Sequence, residues 1–197
     1  MRRKMTMEEI IALEPCWLME DREAEIARIE RLFGRYKYAT IPRVLAAEIG
    51  DEDKLWLLLR EPFFTVRELR HIACDFAERV LPQYERVCPG DYRLRKAIDL
   101  ARKYADGEIT AEKLWAARKA VCDAAAAHEA AYAALRAVRA AYLSIAESEA
   151  AYAAFFAARD ARNAAFCAAR AAAYNEVVSA EITAQLEIIK RYAEGLR

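Results

Sequence analysis

The chain has 197 residues with 31 basic and 31 acidic side chains, so its formal net charge at pH 7 is zero. This balance argues against a dedicated nucleic-acid-binding protein, because such a protein neutralises phosphates with a basic surface. It also argues against an inhibitor that acts through bulk negative charge. A chain of this length buries enough surface to fold without disulfides or a bound metal, and we expect no cofactor.

The cysteines predict the cellular compartment. They are odd in number, scattered, and never arranged as a Cys-x-x-Cys pair. The N-terminal residues lack the pattern of a secretory leader, so we expect reduced thiols in a cytoplasmic protein. The longest apolar runs, such as residues 150–158, are about half as long as a membrane-spanning helix, and we expect no membrane insertion. The cysteines are Cys16, Cys74, Cys88, Cys122 and Cys167.

Short helices are predicted in the N-terminal third of the chain. Apolar spacing and composition indicate three of them. Each is closed by a residue that ends helices, namely Pro15, Gly34 and Pro62 in turn. The predicted helices span residues 7–13, 22–33 and 51–60.

Residues 36–41 are ambiguous. Their side chains alternate weakly between apolar and polar, which fits either a linker or a short edge strand, and we favour the linker. We therefore predict an N-terminal helical extension over residues 1–62 and an alanine-rich helical domain over residues 63–197.

A longer helix is predicted after Pro62. Thr65 and Glu68 have the spacing of a capping box, in which each side chain satisfies a backbone N–H group of the other residue. Pro82 falls inside the apolar pattern that follows and predicts a kink or an end near Leu81. The predicted apolar face consists of Leu69, Ile72, Ala73, Phe76, Ala77 and Val80.

A loop over residues 88–91 leads to the next predicted helix. Asp91 is its predicted N-cap, and Gly107 marks its predicted end. The side chains predicted to face the core are Leu94, Ile98, Ala101 and Ala105.

The rest of the chain is rich in alanine, and residues 108–194 contain neither glycine nor proline. Thr110 is the predicted N-cap of this region. A single helix of that length would be on the order of 100 Å long at about 1.5 Å per residue. We instead expect two or three antiparallel helices, with breaks at residues 144–149 and 174–179. The predicted fold class is all-α, a helical bundle with long, closely packed alanine-rich C-terminal helices.

Two patterns suggest a metal site, but both are incomplete. Glu68 and His71 have the Glu-x-x-His spacing of di-iron bundles, which need a second such pair. The other histidine, His128, follows Ala125 at that spacing. A zinc site would need ligands that no paired Cys or His motif supplies, so we predict no metal. The zinc candidates along one helix are His71, Cys74, Asp75 and Glu78.

No pattern in the chain indicates catalysis. Both histidines are predicted to lie inside helices, and the sequence has neither a Gly-x-Ser-x-Gly turn nor a glycine-rich phosphate loop. The arginines of the alanine-rich region alternate with acidic residues, which is typical of a solvated face. We therefore predict a protein that is not an enzyme and has no nucleic-acid partner.

The two longer predicted helices carry two motifs. Residues 77–82 read Ala-Glu-Arg-Val-Leu-Pro, and residues 91–102 contain Asp-x-Arg-x-x-x-Ala-Ile-x-x-Ala-Arg, followed by Gly-Glu at residues 107–108. These motifs and the alanine-rich tail resemble the Imm-5-like immunity proteins of bacterial toxin systems, which also occur in phage-like settings. The resemblance implies a helical protein that neutralises a cognate toxin by binding it.

The resemblance also implies candidate partner-binding residues, which are the charged positions of the two motifs. The alternative, which we favour, is a structural role, with Asp91 capping a helix and with Arg93 and Arg102 pairing with Glu78 or Asp99. The candidates are Glu78, Asp91, Arg93 and Arg102.

The leading hypothesis is an immunity or inhibitor protein that binds a toxin or defence effector. A phage-encoded inhibitor of a bacterial defence system such as CRISPR would need the same rigid helical surface. A different class of function is a helical scaffold that self-associates, for example as a homodimer, through its alanine-rich helices. A metal-dependent enzyme stays a formal alternative.

Overall fold

The computed structural model describes residues 3–13, 21–114 and 174–196. It is mainly helical, with a small two-stranded sheet, which confirms the predicted fold class. The chain divides into two compact units, Met1–Thr65 and Val66–Arg197, called here the N-terminal unit and the C-terminal unit. Among the described helices, none combines the length and the apolar character needed to cross a membrane.

The N-terminal unit contains short helices around a two-stranded sheet. The predicted bounds of the second helix are confirmed, and the first and third predicted helices end slightly earlier than expected. In chain order the elements are β1 (Lys4–Thr6), α1 (Met7–Ala12), α2 (Arg22–Phe33), a 3₁₀ turn (Gly34–Tyr36), β2 (Tyr38–Thr40), α3 (Ile41–Leu45) and α4 (Asp51–Leu58).

Side chains cap the first two helices. The Thr6 hydroxyl accepts a hydrogen bond from the Glu9 backbone N–H at 3.2 Å, and the Glu9 carboxylate accepts one from the Thr6 N–H at 2.7 Å. The Asp21 carboxylate accepts one from the Ala24 N–H at 3.1 Å. These contacts satisfy N–H groups that lack partners at a helix start.

The linker preferred for residues 36–41 is wrong, because Tyr38–Thr40 form strand β2. It pairs antiparallel with β1, with Met5 opposite Ala39 and both side chains buried. Lys37 precedes the strand in the left-handed region, at a φ of 61°. The weak alternation was a genuine strand signal, and pairing with β1 supplies the backbone hydrogen bonds that an isolated strand would lack.

The core of the N-terminal unit lies along and just after α4. Six large side chains here are at most 4 % exposed, namely Leu55, Leu57, Leu58, Leu59, Phe63 and Phe64.

The C-terminal unit is built on a long helix, α5 (Val66–Val87), that contacts both α6 (Arg93–Ala105) and α7 (Tyr174–Ala193). Residues 111–114 are also helical. The predicted apolar faces of α5 and α6 are confirmed at every position whose burial the structure describes. The buried residues are Leu69, Ile72, Ala73, Phe76 and Ala77 on α5, and Leu94, Ile98, Ala101 and Ala105 on α6.

Of the two outcomes predicted at Pro82, a kink or an end, the end is wrong, since α5 continues to Val87. A proline inside a helix removes one backbone hydrogen bond and crowds the preceding turn. Here Leu81 and Tyr84 are both buried on either side of it. Burial of this apolar face keeps the chain helical on both sides of the proline, because tertiary packing contributes more to helix stability than local propensity.

The start of α6 also differs from the prediction. The N-cap is Tyr92, which makes no capping hydrogen bond with its side chain, so the assignment of Asp91 as N-cap is wrong by one residue. The Asp91 carboxylate nevertheless accepts a hydrogen bond from the Arg93 backbone N–H at 3.0 Å. Gly107, with a φ of 75°, follows the end of α6 close to the predicted position.

Most of the alanine-rich region lies outside the described residues, together with the break predicted at residues 144–149 and the antiparallel packing of its helices. The break predicted at residues 174–179 is wrong, because these residues form continuous helix at the start of α7.

Candidate functional site

A cleft of about 540 Å³ lies between α5, α6 and α7. Its lining combines acidic and basic side chains with an aliphatic strip and one phenol ring from α7. The lining residues are His71, Asp75, Glu78 and Arg79 from α5, Arg102 from α6, and Ala184, Ile188, Arg191 and Tyr192 from α7.

Helical spacing explains why these residues share one site. On α5, residues 71, 75 and 78 are separated by four and three positions, and on α7, residues 184, 188, 191 and 192 follow the same rule. Residues three or four apart lie on one face of a helix. The cleft is therefore formed where these two faces meet α6.

Arg102 occupies the centre of the charge network in the cleft. Its Nη2 donates to Asp75 Oδ1 at 2.5 Å and to Glu78 Oε2 at 2.7 Å. The Tyr192 hydroxyl donates to the other Asp75 oxygen, Oδ2, at 2.9 Å. The Asp75 carboxylate thus joins α6 and α7 to α5 through charge-assisted hydrogen bonds, which are stronger than neutral ones.

A second ion pair joins α5 to α7. The Arg79 guanidinium donates to both carboxylate oxygens of Glu181, with Nε–Oε1 and Nη2–Oε2 distances of 2.9 Å. Glu181 is only 7 % exposed, and Gln185 Nε2 also donates to its Oε1 at 3.1 Å. Hydrogen bonding to Glu181 raises the pKa of Arg79. This bidentate pair fixes the orientation of Arg79 at the edge of the cleft.

Asp91 and Arg93 form a separate cluster beside the turn between α5 and α6. The Tyr84 hydroxyl donates to Asp91 Oδ2 at 2.5 Å, and Arg93 Nε donates to Asp91 Oδ1 at 2.9 Å. The hydrogen bond from Arg93 lowers the pKa of Asp91. Burial, with the hydrogen bond to Asp91, raises the pKa of Tyr84. This cluster holds the turn in place.

His71 pairs with Asp106, the C-cap residue of α6. Its Nε2 lies 2.9 Å from Asp106 Oδ1, and Arg67 Nε donates to the same oxygen at 2.8 Å. Hydrogen bonds from His71 and Arg67 lower the pKa of Asp106. Among the described residues, no group of three or more His, Cys, Asp or Glu side chains is placed to hold a metal ion.

Cys74, another member of the predicted zinc candidates, is buried beneath the cleft. Burial raises the pKa of its thiol to about 12. A thiol that stays protonated at neutral pH is a weak nucleophile and a weak metal ligand. Cys74 and Cys88 are both free thiols.

A family model described as Imm-5 like putative immunity protein matches residues 65–192. The chain belongs to this family. The resemblance seen in the sequence is thereby confirmed, and the Imm-5-like region includes all three helices that form the cleft. Searches of curated proteins and of solved structures found no match.

Two of the four predicted partner-binding residues of the Imm-5-like region lie in the cleft. Glu78 and Arg102 line it and pair with each other, as the structural alternative proposed. Asp91 and Arg93 do not line it, and Arg93 pairs with Asp91 instead of with Glu78 or Asp99. Their direct contact with a partner stays a prediction.

Sequence reasoning did not select the other charged residues of the cleft as partner-binding candidates. Asp75 and Arg79 stand beside Glu78 on the same helix and could have been included from helical spacing alone. Arg191 and Tyr192 gave no such signal. They are more than 100 positions further along the chain, with Tyr192 and Asp75 separated by 117, and no local pattern reveals contacts of that range.

Alkaline pH is expected to destabilise the C-terminal unit through two buried phenols. Burial, with the adjacent Asp75, raises the pKa of Tyr192, as burial and Asp91 do for Tyr84. A raised folded-state pKa contributes stability that is present below the unfolded value, about 10 for tyrosine. That stability is lost as pH rises towards the folded value, because the unfolded phenols ionise first.

We expect the free energy of unfolding, measured by urea denaturation across a pH series, to fall above about pH 10. The Y84F/Y192F variant should show a shallower fall, since it lacks both phenols. Y92F, at a side chain that is 58 % exposed, provides the control and should follow the unmodified chain. Equal slopes for the double variant and the unmodified chain would contradict the assignment.

Proposed function

We propose that this chain is an immunity protein that neutralises a protein partner, a toxin or a defence effector, by direct binding and without catalysis. Membership of the Imm-5-like family supports a role in immunity, and such families are generally non-catalytic. The observation that carries the proposal is the charged cleft between α5, α6 and α7.

The composition of the cleft suits recognition of a protein surface. It brings together three arginines and a tyrosine, which are among the residue types that most often dominate interface energy. Two of those arginines, Arg79 and Arg102, are held by ion pairs to neighbouring helices. Side chains already fixed in place lose little conformational freedom on binding.

The cleft also offers groups that a partner can reach. Glu78 and Arg79 keep 48 % and 37 % of their side chains exposed despite their ion pairs. Arg191 is exposed and forms no ion pair with any residue of the described ranges. A partner carboxylate at Arg191 would add an ion pair without breaking one, and an exposed cation of this kind also steers association.

Capture from the native host tests this proposal. The purified chain should retain a specific protein, and R191E should weaken its affinity about tenfold, since a contact with a partner carboxylate becomes a repulsion. K190E is the matched control, because Lys190 is the adjacent exposed residue on α7 and does not line the cleft. If both variants retain the partner as well as the unmodified chain does, binding through the cleft is ruled out.

A functional readout then decides whether binding neutralises the partner. The captured protein is expressed in bacteria alone and together with the chain, and co-expression should relieve the growth arrest that the partner causes. Size-exclusion chromatography with light scattering tests the alternative of a self-associating scaffold. A strict monomer would argue against that alternative. If no protein is retained under native conditions, the proposed function fails.

A further inference from the structure

The N-terminal unit carries a cluster of cations and aromatic rings outside the family match. We call it the basic–aromatic patch. It extends over β1, the 3₁₀ turn, β2 and α3. Its members are Lys4, Arg35, Tyr36, Lys37, Tyr38 and Arg43.

Stacking organises the patch. The Arg43 guanidinium carbon lies 3.7 Å from the centroid of the Tyr36 ring and 5.2 Å from that of Tyr38. Lys4 Nζ lies 4.5 Å from the Tyr38 centroid, and the Arg35 guanidinium carbon lies 4.7 Å from that of Tyr36. Each ring therefore has two cations within cation–π range.

A backbone contact fixes the central arginine. Arg43 Nη1 donates to the Tyr38 carbonyl oxygen at 3.1 Å. This hydrogen bond and the two rings hold the guanidinium against β2. The charge of Arg43 is therefore presented from a rigid position, which reduces the entropy that binding would cost.

Three cations of the patch have no acidic partner among the described residues. Arg35, Lys37 and Arg43 form no ion pair with any side chain that the structure describes, and Arg35 and Lys37 are exposed. The arginines of α5 and α6 contrast with them, because several form close ion pairs with carboxylates. These pairs join Arg67 to Asp106, Arg79 to Glu181, Arg93 to Asp91, Arg95 to Glu85 and Arg102 to Asp75.

We infer that the basic–aromatic patch is a second contact surface, which binds an acidic segment of a protein partner through its carboxylates. Carboxylates fit because Arg35, Lys37 and Arg43 carry several N–H donors each, and planar guanidinium groups bind carboxylates through paired hydrogen bonds. Nucleic acid fits less well. The rings that would stack on bases are already occupied by cations, and the chain as a whole has no net positive charge.

This inference rests on the proposed function, since the acidic segment would belong to the neutralised partner, and it adds the chemistry of that partner's surface. The cleft and the patch would then contribute separately to affinity. A partner touching both units would gain avidity from the chain that links them.

Fluorescence anisotropy with a labelled oligoglutamate peptide at low ionic strength tests the patch without the native partner. The full-length chain should bind the peptide, and R35E/K37E should weaken its affinity about tenfold, because two attractions become repulsions. R22E/R31E is the matched control, since it makes the same charge change at two exposed residues of α2 in the same unit. Circular dichroism should confirm that both variants remain folded.

Two results would overturn the inference. One is the absence of peptide binding, or equal losses in the patch and control variants. The other is tighter, patch-dependent binding of a single-stranded oligonucleotide of matched charge, which would assign the surface to nucleic acid. If the peptide does not bind but capture of the partner still depends on Arg191, only the inference about the patch is rejected. Failure of capture would reject the proposed function.

Discussion

Replacing Arg79 with methionine is expected to lower the free energy of unfolding by about 3 kcal/mol. The substitution leaves the Glu181 carboxylate, only 7 % exposed, without its cationic partner. Gln185 Nε2 would still donate a hydrogen bond to that carboxylate. Removing one member of a buried pair is more destabilising than replacing both, because the remaining charge stays desolvated. The estimate lies at the low end of the usual range since Arg79 is itself 37 % exposed.

Urea denaturation measures this effect, and two further variants isolate its cause. R79M/E181Q should regain much of the lost stability, because it removes the isolated charge. R86M serves as the control, since Arg86 is an exposed arginine near the end of the same helix, and its replacement should change stability by less than about 0.5 kcal/mol. An R79M loss no larger than that of R86M would show that the pair does not hold α7 to α5.

The second large effect is expected at Arg102, whose replacement by methionine should destabilise the chain by about 2 kcal/mol. This arginine neutralises both Asp75 and Glu78, with side-chain exposures of 23 % and 48 %. Without it, the two carboxylates face each other one helical turn apart, where like charges repel. The partial exposure of both carboxylates keeps the penalty below that of a fully buried pair.

Salt and a double-mutant cycle separate this charge effect from lost packing. The difference between R102M and the unmodified chain should shrink at high ionic strength, because salt screens partly exposed charges. D75N combined with R102M should destabilise less than the sum of the two single changes. K103M, at the adjacent exposed residue of α6, should be nearly neutral. Additive effects at Arg102 and Asp75 would contradict the proposed coupling.

Local sequence signals predicted much of the helical architecture. The bounds of α2 and the buried face of α6 followed from apolar spacing and from Gly34 and Gly107, since these signals act within one or two turns of a helix. Pro82 does not end the helix because burial of Leu81 and Tyr84 on the surrounding turns outweighs one lost hydrogen bond. The linker was preferred over the strand at β2 because the partner strand is three residues long and distant in sequence.

The cleft was only half predictable for the same reason. Glu78 and Arg102 were selected from motifs on neighbouring helices, and their ion pair spans 24 positions. The Arg79–Glu181 pair spans 102 positions, and no local pattern in the sequence indicates a contact of that range. The patch on the N-terminal unit was missed because cation–π stacking needs the strand pairing that brings Lys4 beside Tyr38.

The position of Tyr192 has a practical consequence for handling this protein. Its ring lines the cleft and its hydroxyl bonds to Asp75, yet it lies in the last turn of α7, just before the helix ends at a left-handed Gly195. A purification tag fused here, or trimming by a protease, would act directly on one wall of the cleft. A preparation clipped within α7 should therefore fold less stably and retain less partner.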